Sequence, residues 1–267
     1  MPTQAEKVKR FRALHEERRA FVMANAWTIG SARHLTKLGF EALGTTSAGL
    51  AMDLGVNDGE VGRDHSLAVA RAIVEATDLP VSADLENGFG DSPATCAETI
   101  RLAIDAGLAG ASIEDFSGRP DDPIYPLDFA VERVRAAVAA IRSSGRDFVL
   151  TARAENFLHG RADLADTITR LKAYEAAGAD VLFAPGLPSY RAICDVCSAL
   201  DKPLNVLMGF GAPALSIDDL ARLGIGRISL GSALARTAEN AYVNAASWIR
   251  ERRTFAYRQA VDAALRQ

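Results

Sequence analysis

One strand-then-helix unit repeats along the whole chain, and this repetition constrains the fold more than any other feature. Each unit has a short apolar or β-branched run, a polar or glycine-rich stretch, and a segment with helical periodicity. Eight units in series predict a closed parallel (β/α)8 barrel, or TIM barrel, as a single domain over residues 1–267. The predicted strands span residues 21–25, 42–46, 81–84, 111–114, 148–152, 181–185, 204–208 and 227–230.

The segments between the strands support this prediction. Most end at a glycine just before the next strand, as in Leu38-Gly39 and Ala177-Gly178, where glycine supplies the left-handed cap of a helix. An open nucleotide-binding sheet is disfavoured, because no glycine-rich phosphate motif follows the first strand. A leading helix is predicted over residues 4–19, and a helical extension from residue 232 to the C-terminus. The other predicted helices span residues 29–38, 60–75, 93–106, 127–143, 164–177, 190–200 and 217–223.

Composition excludes several classes of function. The chain has 30 basic and 34 acidic residues and a pI near 5.7, which gives no electrostatic footprint for a nucleic acid. No apolar run approaches the roughly 18 residues that a membrane span needs, and the charged N-terminus is unlike a signal peptide, so we expect a cytoplasmic protein without membrane partners. Four basic residues near the N-terminus are interpreted as a solvated helix face: Lys7, Lys9, Arg10 and Arg12.

Polar side chains follow three neighbouring predicted strands, at the end of the barrel where active sites lie. Residues 84–88 read Asp-Leu-Glu-Asn-Gly, residues 114–115 read Glu-Asp, and residues 153–156 read Arg-Ala-Glu-Asn. Converging carboxylates repel one another unless a cation or an arginine compensates them. All these donors are hard oxygens and no histidine accompanies them, so the pattern predicts Mg²⁺, with helix capping as the alternative role. The expected ligands are Asp84, Glu86 and Glu114.

A covalent Schiff-base mechanism is disfavoured. It needs a lysine on a strand near the mouth of the barrel. The lysines here fall in predicted helices or just ahead of a strand: Lys7, Lys9, Lys37, Lys172 and Lys202. Any enolate must therefore be stabilised by a metal and by hydrogen bonds.

Together, the strand ends resemble those of the isocitrate lyase and phosphoenolpyruvate mutase superfamily, whose members act on small 2-oxo or 2-hydroxy carboxylates. The match covers most of the chain, and both the order and the spacing of the motifs fit. The segments that carry it are Asn-Ala at 25–26, Gly-Thr-Thr-Ser-Ala at 44–48, Leu-Gly-Val-Asn-Asp at 54–58, Asp-Leu-Glu-Asn-Gly-Phe-Gly at 84–90, Ile-Glu-Asp at 113–115, Thr-Ala-Arg-Ala-Glu at 151–155 and Ala-Gly-Ala-Asp at 177–180.

This resemblance implies three groups of site residues. The group that would contact the substrate and its carboxylate is Thr46, Ser47, Ala48, Arg153 and Asn205. The group in positions of catalytic residues is Asp58, Glu114 and Arg153. The group that would hold Mg²⁺, partly through water, is Asp84, Glu86 and Glu114.

Two departures from the superfamily pattern matter. The second acidic residue of the Asp-x-Asp element is Glu86 here, one methylene longer. The lyases also carry a mobile Lys-x-Cys-Gly loop after the fourth strand, whose cysteine acts as an acid or base. Residues 116–126 instead read Phe-Ser-Gly-Arg-Pro-Asp-Asp-Pro-Ile-Tyr-Pro. Within this loop, proton transfer or carboxylate contact would fall to Ser117, Arg119 or Tyr125.

We therefore expect a magnesium-dependent lyase that cleaves a carbon–carbon bond of a methylisocitrate-, isocitrate- or oxaloacetate-like acid through an enolate. Two alternatives remain: a phosphonopyruvate-type mutase or hydrolase acting between phosphorus and carbon, and a barrel that binds 2-oxo acids without turnover. The resemblance also implies a homodimer or homotetramer that swaps the last barrel helix between subunits. Packing on its own barrel is the competing explanation for that helix's apolar residues, Ala241, Tyr242, Ala245, Ala246, Trp248 and Ile249.

Overall fold

The computed structural model describes residues 2–17 and 19–257, and its central feature is a closed parallel barrel. Within these residues each strand pairs with the next in chain order, and the last pairs with the first, which confirms the predicted (β/α)8 fold. The strands are β1 (Phe21–Ala26), β2 (Ala42–Thr45), β3 (Val81–Asp84), β4 (Gly110–Glu114), β5 (Val149–Arg153), β6 (Val181–Phe183), β7 (Leu204–Leu207) and β8 (Arg227–Ser229).

The helices follow the predicted order, with one that the sequence did not indicate. They are α1 (Gln4–Glu16), α2 (Ile29–Lys37), α3 (Ser47–Leu54), α4 (Arg63–Glu75), α5 (Pro93–Asp105), α6 (Leu127–Ser144), α7 (Leu164–Ala177), α8 (Tyr190–Ser198), α9 (Ile217–Arg222) and α10 (Ala233–Arg252). The unexpected helix is α3, which begins immediately after β2. Thr46 caps it by accepting a hydrogen bond from the Gly49 backbone N–H. A Cβ at Gly49 would lie 2.6 Å from the Thr46 methyl group and 3.2 Å from Ala235 Cβ, so only glycine fits.

Helix α1 closes the N-terminal end of the barrel. Its apolar residues Val8, Phe11 and Leu14 are buried against Phe21, Val149 and other residues from the lower ends of the strands. This close approach depends on Gly110, where a Cβ would lie 2.6 Å from the Val149 carbonyl oxygen and 3.1 Å from the Phe11 ring. The opposite, C-terminal end of the barrel is thereby left as the open end.

The basic residues of α1 are only partly solvated, so the interpretation as a solvated face is wrong for part of the set. Lys7 is buried, and its ammonium donates to the carbonyls of Val74 and Thr77, while Arg12 pairs with Asp147 and Asp180. Lys9 and Arg10 are exposed, as expected. The buried Lys7 and the half-buried Arg12 fasten α1 to the barrel, because free carbonyls and carboxylates of the lower loops lie within their reach.

Helix α10 leaves the barrel instead of packing along it. Within the described residues of α10, only Ala235 is buried, and Tyr242 is 64 % exposed. Packing within the chain therefore does not account for Ala241, Tyr242 and Ala246, which are exposed, whereas Ala245, Trp248 and Ile249 are half-buried. The end of the predicted C-terminal extension, residues 258–267, lies outside the described residues. In the described ranges, no helix combines the length and apolarity that crossing a bilayer requires.

Candidate active site

Arg153 lies at the centre of a cluster of carboxylates in the mouth of the barrel. Its Nη1 is 2.8 Å from Asp84 Oδ1 and 3.2 Å from Glu114 Oε2, and its Nε is 2.8 Å from Glu155 Oε1. The Arg153 side chain is only 12 % exposed. The structure thus brings together the strand-end residues Asp84, Glu114 and Arg153, and it adds Glu155, to which the sequence had assigned no role.

These side chains meet because β3, β4 and β5 are neighbours that end at the same edge. In the parallel register, Asp84 lies opposite Ser112, and Glu114 lies opposite Arg153. Successive residues of a strand point to opposite faces, so Glu114 faces the barrel interior whereas Asp115 faces the surrounding helices. Strand alternation therefore divides the adjacent acids of the fourth strand end between two environments.

The second oxygen of Asp84 faces the start of α3. Asp84 Oδ2 accepts hydrogen bonds from the Ser47 backbone N–H at 3.3 Å and from Ser47 Oγ at 3.1 Å. Thr46 is buried and acts as the helix cap, while Ala48 lies in the first turn, where backbone N–H groups have no acceptor inside the helix. Of the three predicted carboxylate contacts in this turn, Ser47 directs both of its donors to Asp84, Thr46 serves as the cap, and Ala48 presents its backbone N–H in the first turn.

Glu86 is held in an unusual backbone conformation beside Asp84. Its φ of 50° is in the left-handed region, and its backbone N–H faces Asp84 Oδ1 at 3.4 Å. Arg133 fixes the following loop from below by donating to the carbonyl oxygens of Asn87, Gly90 and Asp91. The strain at Glu86 is maintained by this support, which places its carboxyl at the mouth.

Negative charge exceeds positive charge in the cluster. Burial raises the pKa of Glu114, and it raises the pKa of Glu155 to about 7, although Arg153 acts in the opposite direction. Burial and the charges of Asp84 and Asp58 raise the pKa of Glu86 to about 7. Burial works against the charge of Arg153, but the surrounding carboxylates outweigh it and raise its pKa. One arginine therefore does not neutralise the mouth.

Asp58 lies on the loop after α3, at the edge of this cluster. The residue is exposed overall, but its carboxyl faces Ser47 and the charge of Asp84. Loss of surrounding water raises the pKa of Asp58, and the Asp84 charge adds to the effect, while a hydrogen bond from Ser47 opposes it. The structure thus places Asp58 beside the strand-end carboxylates, and its catalytic role stays a prediction.

Beneath the mouth, Asp115 organises a buried support network. Its carboxylate accepts from the Glu155 backbone N–H at 2.8 Å, from the Tyr174 hydroxyl at 2.6 Å and from Arg170 Nη1 at 3.2 Å. Arg170 also donates to the Tyr125 carbonyl at 2.9 Å. Asp115 therefore positions the backbone at Glu155 and anchors the end of the lid loop instead of facing the substrate.

The lid loop, residues 116–126, folds back on itself. Phe116 and Ile124 form an antiparallel bridge, and the Ser117 hydroxyl donates to the Asp122 carbonyl. Tyr125 is fully buried and donates to Asp91, and Arg119 Nη1 bonds to the other oxygen of Asp91. The expectation of proton transfer from Ser117 or Tyr125 is wrong for this conformation, because both hydroxyls are committed to bonds that hold the loop.

An open cavity of about 700 Å³ lies above the carboxylates. The loop at residues 59–65 forms one side, and Phe116 and Gly118 of the lid loop form the other, with the largely buried carboxyls of Glu86 and Glu114 lining the cavity between them. Phe116 stacks on His159 with ring centroids 3.6 Å apart, and His159 Nε2 lies 3.8 Å from Glu155 Oε2. A small acid in this cavity would touch Glu86 and Glu114, whereas Asp84 and Arg153 line a smaller cavity of about 90 Å³ in the barrel interior.

Asn205 lies in the barrel interior, where it lines the same small cavity as Asp84 and Arg153. Its Nδ2 donates to Ser229 Oγ at 2.9 Å, and its Oδ1 accepts from Arg227 Nε at 2.9 Å. The structure thus does not bring Asn205 into the carboxylate cluster, because it bonds to β8 within the barrel interior. Sequence reasoning missed both Glu155 and Arg227. The position of Glu155, two residues after Arg153 in a quoted motif, was a usable signal; Arg227 carried none.

The fit to Mg²⁺ rests on the charge and chemistry of the donors. Among residues 2–17 and 19–257, no three histidine, cysteine, aspartate or glutamate side chains are arranged as a ready-made metal site. The mouth nevertheless offers hard carboxylate oxygens from Asp84, Glu86 and Glu114 in excess of positive charge, which suits a divalent cation that keeps several waters. The residues therefore fit Mg²⁺ held partly through water, whereas a shell of three direct carboxylates is not preformed.

Comparison with known proteins agrees with the geometry. Residues 11–250 match the family described as phosphoenolpyruvate phosphomutase. The 2-methylisocitrate lyase of Escherichia coli (strain K12) is 30 % identical over 248 residues, covering 88 % of this chain and 82 % of that protein. The oxaloacetate decarboxylase of Pseudomonas putida (strain GB-1) is 29 % identical over 223 residues, covering 80 % and 75 %.

Solved structures show the same likeness. A Burkholderia cenocepacia J2315 protein, described only broadly as a lyase or mutase, superimposes with a TM-score of 0.94 at 53 % identity, covering 96 % of this chain and 92 % of that one. A 2,3-dimethylmalate lyase superimposes with a TM-score of 0.85 at 29 % identity, covering 94 % and 88 %. The chain belongs to the phosphoenolpyruvate phosphomutase family, within the superfamily of lyases and mutases that includes isocitrate lyase.

Proposed function

We propose that this protein is a magnesium-dependent lyase that cleaves a carbon–carbon bond of a small 2-hydroxy or 2-oxo carboxylate through an enolate. The observation that carries this proposal is the cluster in which Asp84, Glu114 and Glu155 surround the single guanidinium of Arg153 beneath an open cavity. Such a mouth supplies both an anchor for a carboxylate and an excess of oxygen donors for a cation. The lyases among the relatives support the same class of reaction.

The anchoring of the substrate carboxylate would fall to Arg153 and the first turn of α3. Arg153 is charged and nearly buried, so a carboxylate bound there exchanges water for a charge-assisted hydrogen bond. The backbone N–H of Ala48 lies at a helix N-terminus, which favours a negative group. Fixing the carboxylate between these groups orients the carbon–carbon bond over the carboxylate cluster.

The bond cleavage requires a base, a leaving group and a stabilised negative charge. With a 2-hydroxy acid, Asp58 removes the proton of the 2-hydroxyl group; the carbon–carbon bond then breaks, giving a carbonyl product and an enolate, and the protonated Asp58 or water returns a proton to the enolate carbon. Mg²⁺ held by Asp84, Glu86 and Glu114 supplies electrostatic stabilisation of the enolate when bound. The support network below the mouth keeps Glu155 and Arg153 in place.

Two alternatives follow from particular observations. The family description names a phosphomutase, which favours a phosphonopyruvate-type reaction between phosphorus and carbon at the same site. The lid loop commits the hydroxyls of Ser117 and Tyr125 to internal bonds, which favours a barrel that binds 2-oxo acids without turning them over. Both alternatives keep the carboxylate cluster and differ from the proposal only in what happens after binding.

A substrate panel distinguishes these functions. The purified protein with Mg²⁺ is incubated with methylisocitrate, isocitrate, dimethylmalate, oxaloacetate and phosphonopyruvate, and the products are followed by proton and phosphorus NMR. Carbon–carbon cleavage of one of the first four supports the lyase, whereas a phosphorus-only change supports the mutase or hydrolase. No product, together with oxalate raising the melting temperature in the presence of Mg²⁺, identifies a non-catalytic binder. Arg153→Met should weaken the response to oxalate. Arg191→Met, which alters an exposed arginine on α8, is the matched control for that variant.

We also propose that α10 is covered by a second copy of the chain, giving a homodimer or homotetramer. The helix extends from the barrel with Tyr242 and Val243 exposed, and its first turn approaches α3 through Ala235 and Gly49. Light scattering tests this: we expect a dimer or larger, and Tyr242→Glu should shift the population towards monomer. A wild-type monomer at micromolar concentration would contradict the proposal.

A further inference from the structure

The segment that follows β3 and carries Glu86 has an unusual backbone. Glu86, Gly88 and Phe89 all have positive φ angles, at 50°, 81° and 59°. Glycine adopts this left-handed region at little cost, whereas the other two residues are strained there and keep the conformation only where their surroundings enforce it. Contacts from outside the segment must therefore hold it.

One such support comes from α6. Arg133, which is 1 % exposed, donates to the carbonyl oxygens of Asn87, Gly90 and Asp91. These bonds reach only backbone atoms of residues 87–91. The side chains at the two ends of this segment, Asn87 and Asp91, are bound by another part of the chain.

That part is Tyr125, near the end of the lid loop. Its hydroxyl donates to Asp91 Oδ1 at 2.5 Å and accepts from Asn87 Nδ2 at 3.2 Å, so one hydroxyl joins both ends of the segment. Arg119 Nη1 also binds Asp91, at 3.1 Å, but the two side chains are 45 % and 62 % exposed, and such pairs contribute little. The main side-chain contact of this junction is therefore that of Tyr125, which is fully buried.

The Tyr125 ring is held in place independently of its hydroxyl. Its backbone N–H donates to the Asp115 carbonyl at 2.9 Å, and its own carbonyl accepts from Arg170 Nη1 at 2.9 Å. The ring packs edge-on against Phe129, with centroids 5.5 Å apart, and Arg133 Cζ lies 4.5 Å from its centroid. The hydroxyl is thus a fixed point of attachment, and its removal should leave the ring where it is.

The junction lies one residue from a proposed metal ligand. Asn87 follows Glu86 directly, and the Glu86 carbonyl accepts a hydrogen bond from the Glu114 backbone N–H at 3.0 Å. Glu86 is therefore attached on one side to β4 and on the other, through Asn87, to Tyr125. Release of the second attachment would let the strained backbone relax and would carry the Glu86 carboxyl away from the mouth.

We propose that Tyr125 is a positioning residue for the metal site: its hydroxyl joins the two ends of residues 87–91 and so holds Glu86 in the strained conformation that directs its carboxyl to the mouth. The inference rests on the proposed function, in which Glu86 is a ligand of Mg²⁺. It gives the lid loop, which lacks the Lys-x-Cys-Gly core, a part in holding the site instead of transferring protons. Tyr125 acts through Glu86 and does not itself touch the metal or the substrate.

Calorimetric titration of Mg²⁺ into the chelator-treated, full-length protein tests this role. Tyr125→Phe should raise the Kd for Mg²⁺ roughly 3- to 10-fold, the scale for losing one hydrogen bond, whereas Tyr190→Phe, at the exposed start of α8, should leave it unchanged. A merely structural tyrosine would lower the melting temperature of the metal-free protein without changing this Kd. An unchanged Kd in Tyr125→Phe would overturn the proposal alone, and a wild type that does not bind Mg²⁺ would overturn the proposed metal site together with it.

A second variant covers the case in which Tyr125→Phe does not fold. Asp91→Ala removes the acceptor of the hydroxyl at an exposed side chain and should raise the Kd by a similar factor. The double variant should bind Mg²⁺ no more weakly than the weaker single variant, because both changes remove the same contact. Two factors that multiply would overturn the proposal.

Hydrogen exchange tests the hold on the segment without any metal. The Gly88 backbone N–H donates to the Leu85 carbonyl at 2.8 Å, inside the strained segment. In the metal-free protein this amide should exchange several-fold faster in Tyr125→Phe or Asp91→Ala than in the wild type or in Tyr190→Phe. Equal exchange rates in all four proteins would show that the hydroxyl does not hold the segment and would overturn the proposal.

Discussion

Two buried arginines in the barrel interior differ in the groups that they contact and in the direction in which their pKa is shifted. Arg153 in the mouth touches three carboxylates, and their charges raise its pKa; Arg227 below it touches neutral groups, and burial lowers its pKa. The mouth therefore holds surplus negative charge around one cation, whereas the floor holds a cation without a negative partner among the described residues. This contrast separates the mouth, where carboxylates hold the guanidinium, from the floor, where neutral hydrogen-bond partners hold it.

The largest effect should follow the loss of the mouth cation. Arg153→Met leaves several buried carboxylates uncompensated, so we expect the free energy of unfolding to fall by about 3 kcal/mol or more. Oxalate, as a 2-oxo acid analogue, should bind more weakly by roughly 2 to 5 kcal/mol. Urea unfolding and calorimetric titration measure the two effects, with Arg191→Met as the control. Unchanged oxalate affinity in Arg153→Met would refute the anchoring role of Arg153.

Removal of Mg²⁺ should have the next largest effect on the free energy of unfolding. This effect should depend on residues of the mouth and not on residues elsewhere. Mg²⁺ at 100 times its Kd should stabilise the chelator-treated protein by about 2.7 kcal/mol, because the ion binds the folded state. Glu114→Gln should lose most of this gain, while Glu98→Gln, on the exposed face of α5, should retain it. If Mg²⁺ stabilised Glu114→Gln as much as the wild type, Glu114 would be excluded from the metal site.

The surplus charge of the mouth predicts a pH dependence in the metal-free protein. The pKa of Glu86 rises from 4.5 to about 7 on folding, so the folded state binds this proton more tightly than the unfolded chain. The stability that Glu86 contributes is present below its unfolded pKa and is lost as pH rises through its folded pKa. Allowing for partial exposure, Glu86→Gln should gain about 2 kcal/mol relative to wild type between about pH 4.5 and 7.5. Parallel urea-unfolding curves across this range would contradict the assignment.

Arg227→Met should have the smallest effect on the free energy of unfolding. Its comparison with Arg153→Met tests directly whether the two arginines differ in their contribution to stability. The variant loses hydrogen bonds to Asn205 and Thr151, but it also removes the cost of a buried unpaired charge. We expect the free energy of unfolding, measured by urea titration, to change by about 1 kcal/mol or less. A loss as large as that of Arg153→Met would mean that the two arginines are equally integral to the fold.

The barrel could be predicted because its signals are local. Each strand and each helix has its own period, and each unit ends in a turn, so eight units are countable without knowledge of the packing. The sequence pattern did not predict the short helix α3. This helix depends on the Thr46 cap and on the narrow space between Gly49 and Ala235. The pattern also did not predict the buried hydrogen bonds of Lys7, because their acceptors are backbone carbonyls far along the chain.

The positions of the strand-end acids could likewise be predicted from the sequence, but the separate contacts of each acid could not. Sequence order alone placed Asp84, Glu86, Glu114 and Arg153 at one end of the barrel, because parallel strands share their carboxyl edge. Only the tertiary structure decided that Asp115 turns outward to Tyr174 and Arg170, that Glu155 completes the shell of Arg153, and that Arg227 meets Asn205, Thr151 and His15. The period of a strand is a property of neighbouring residues, whereas the partner of a buried charge is set by which distant segments close around it.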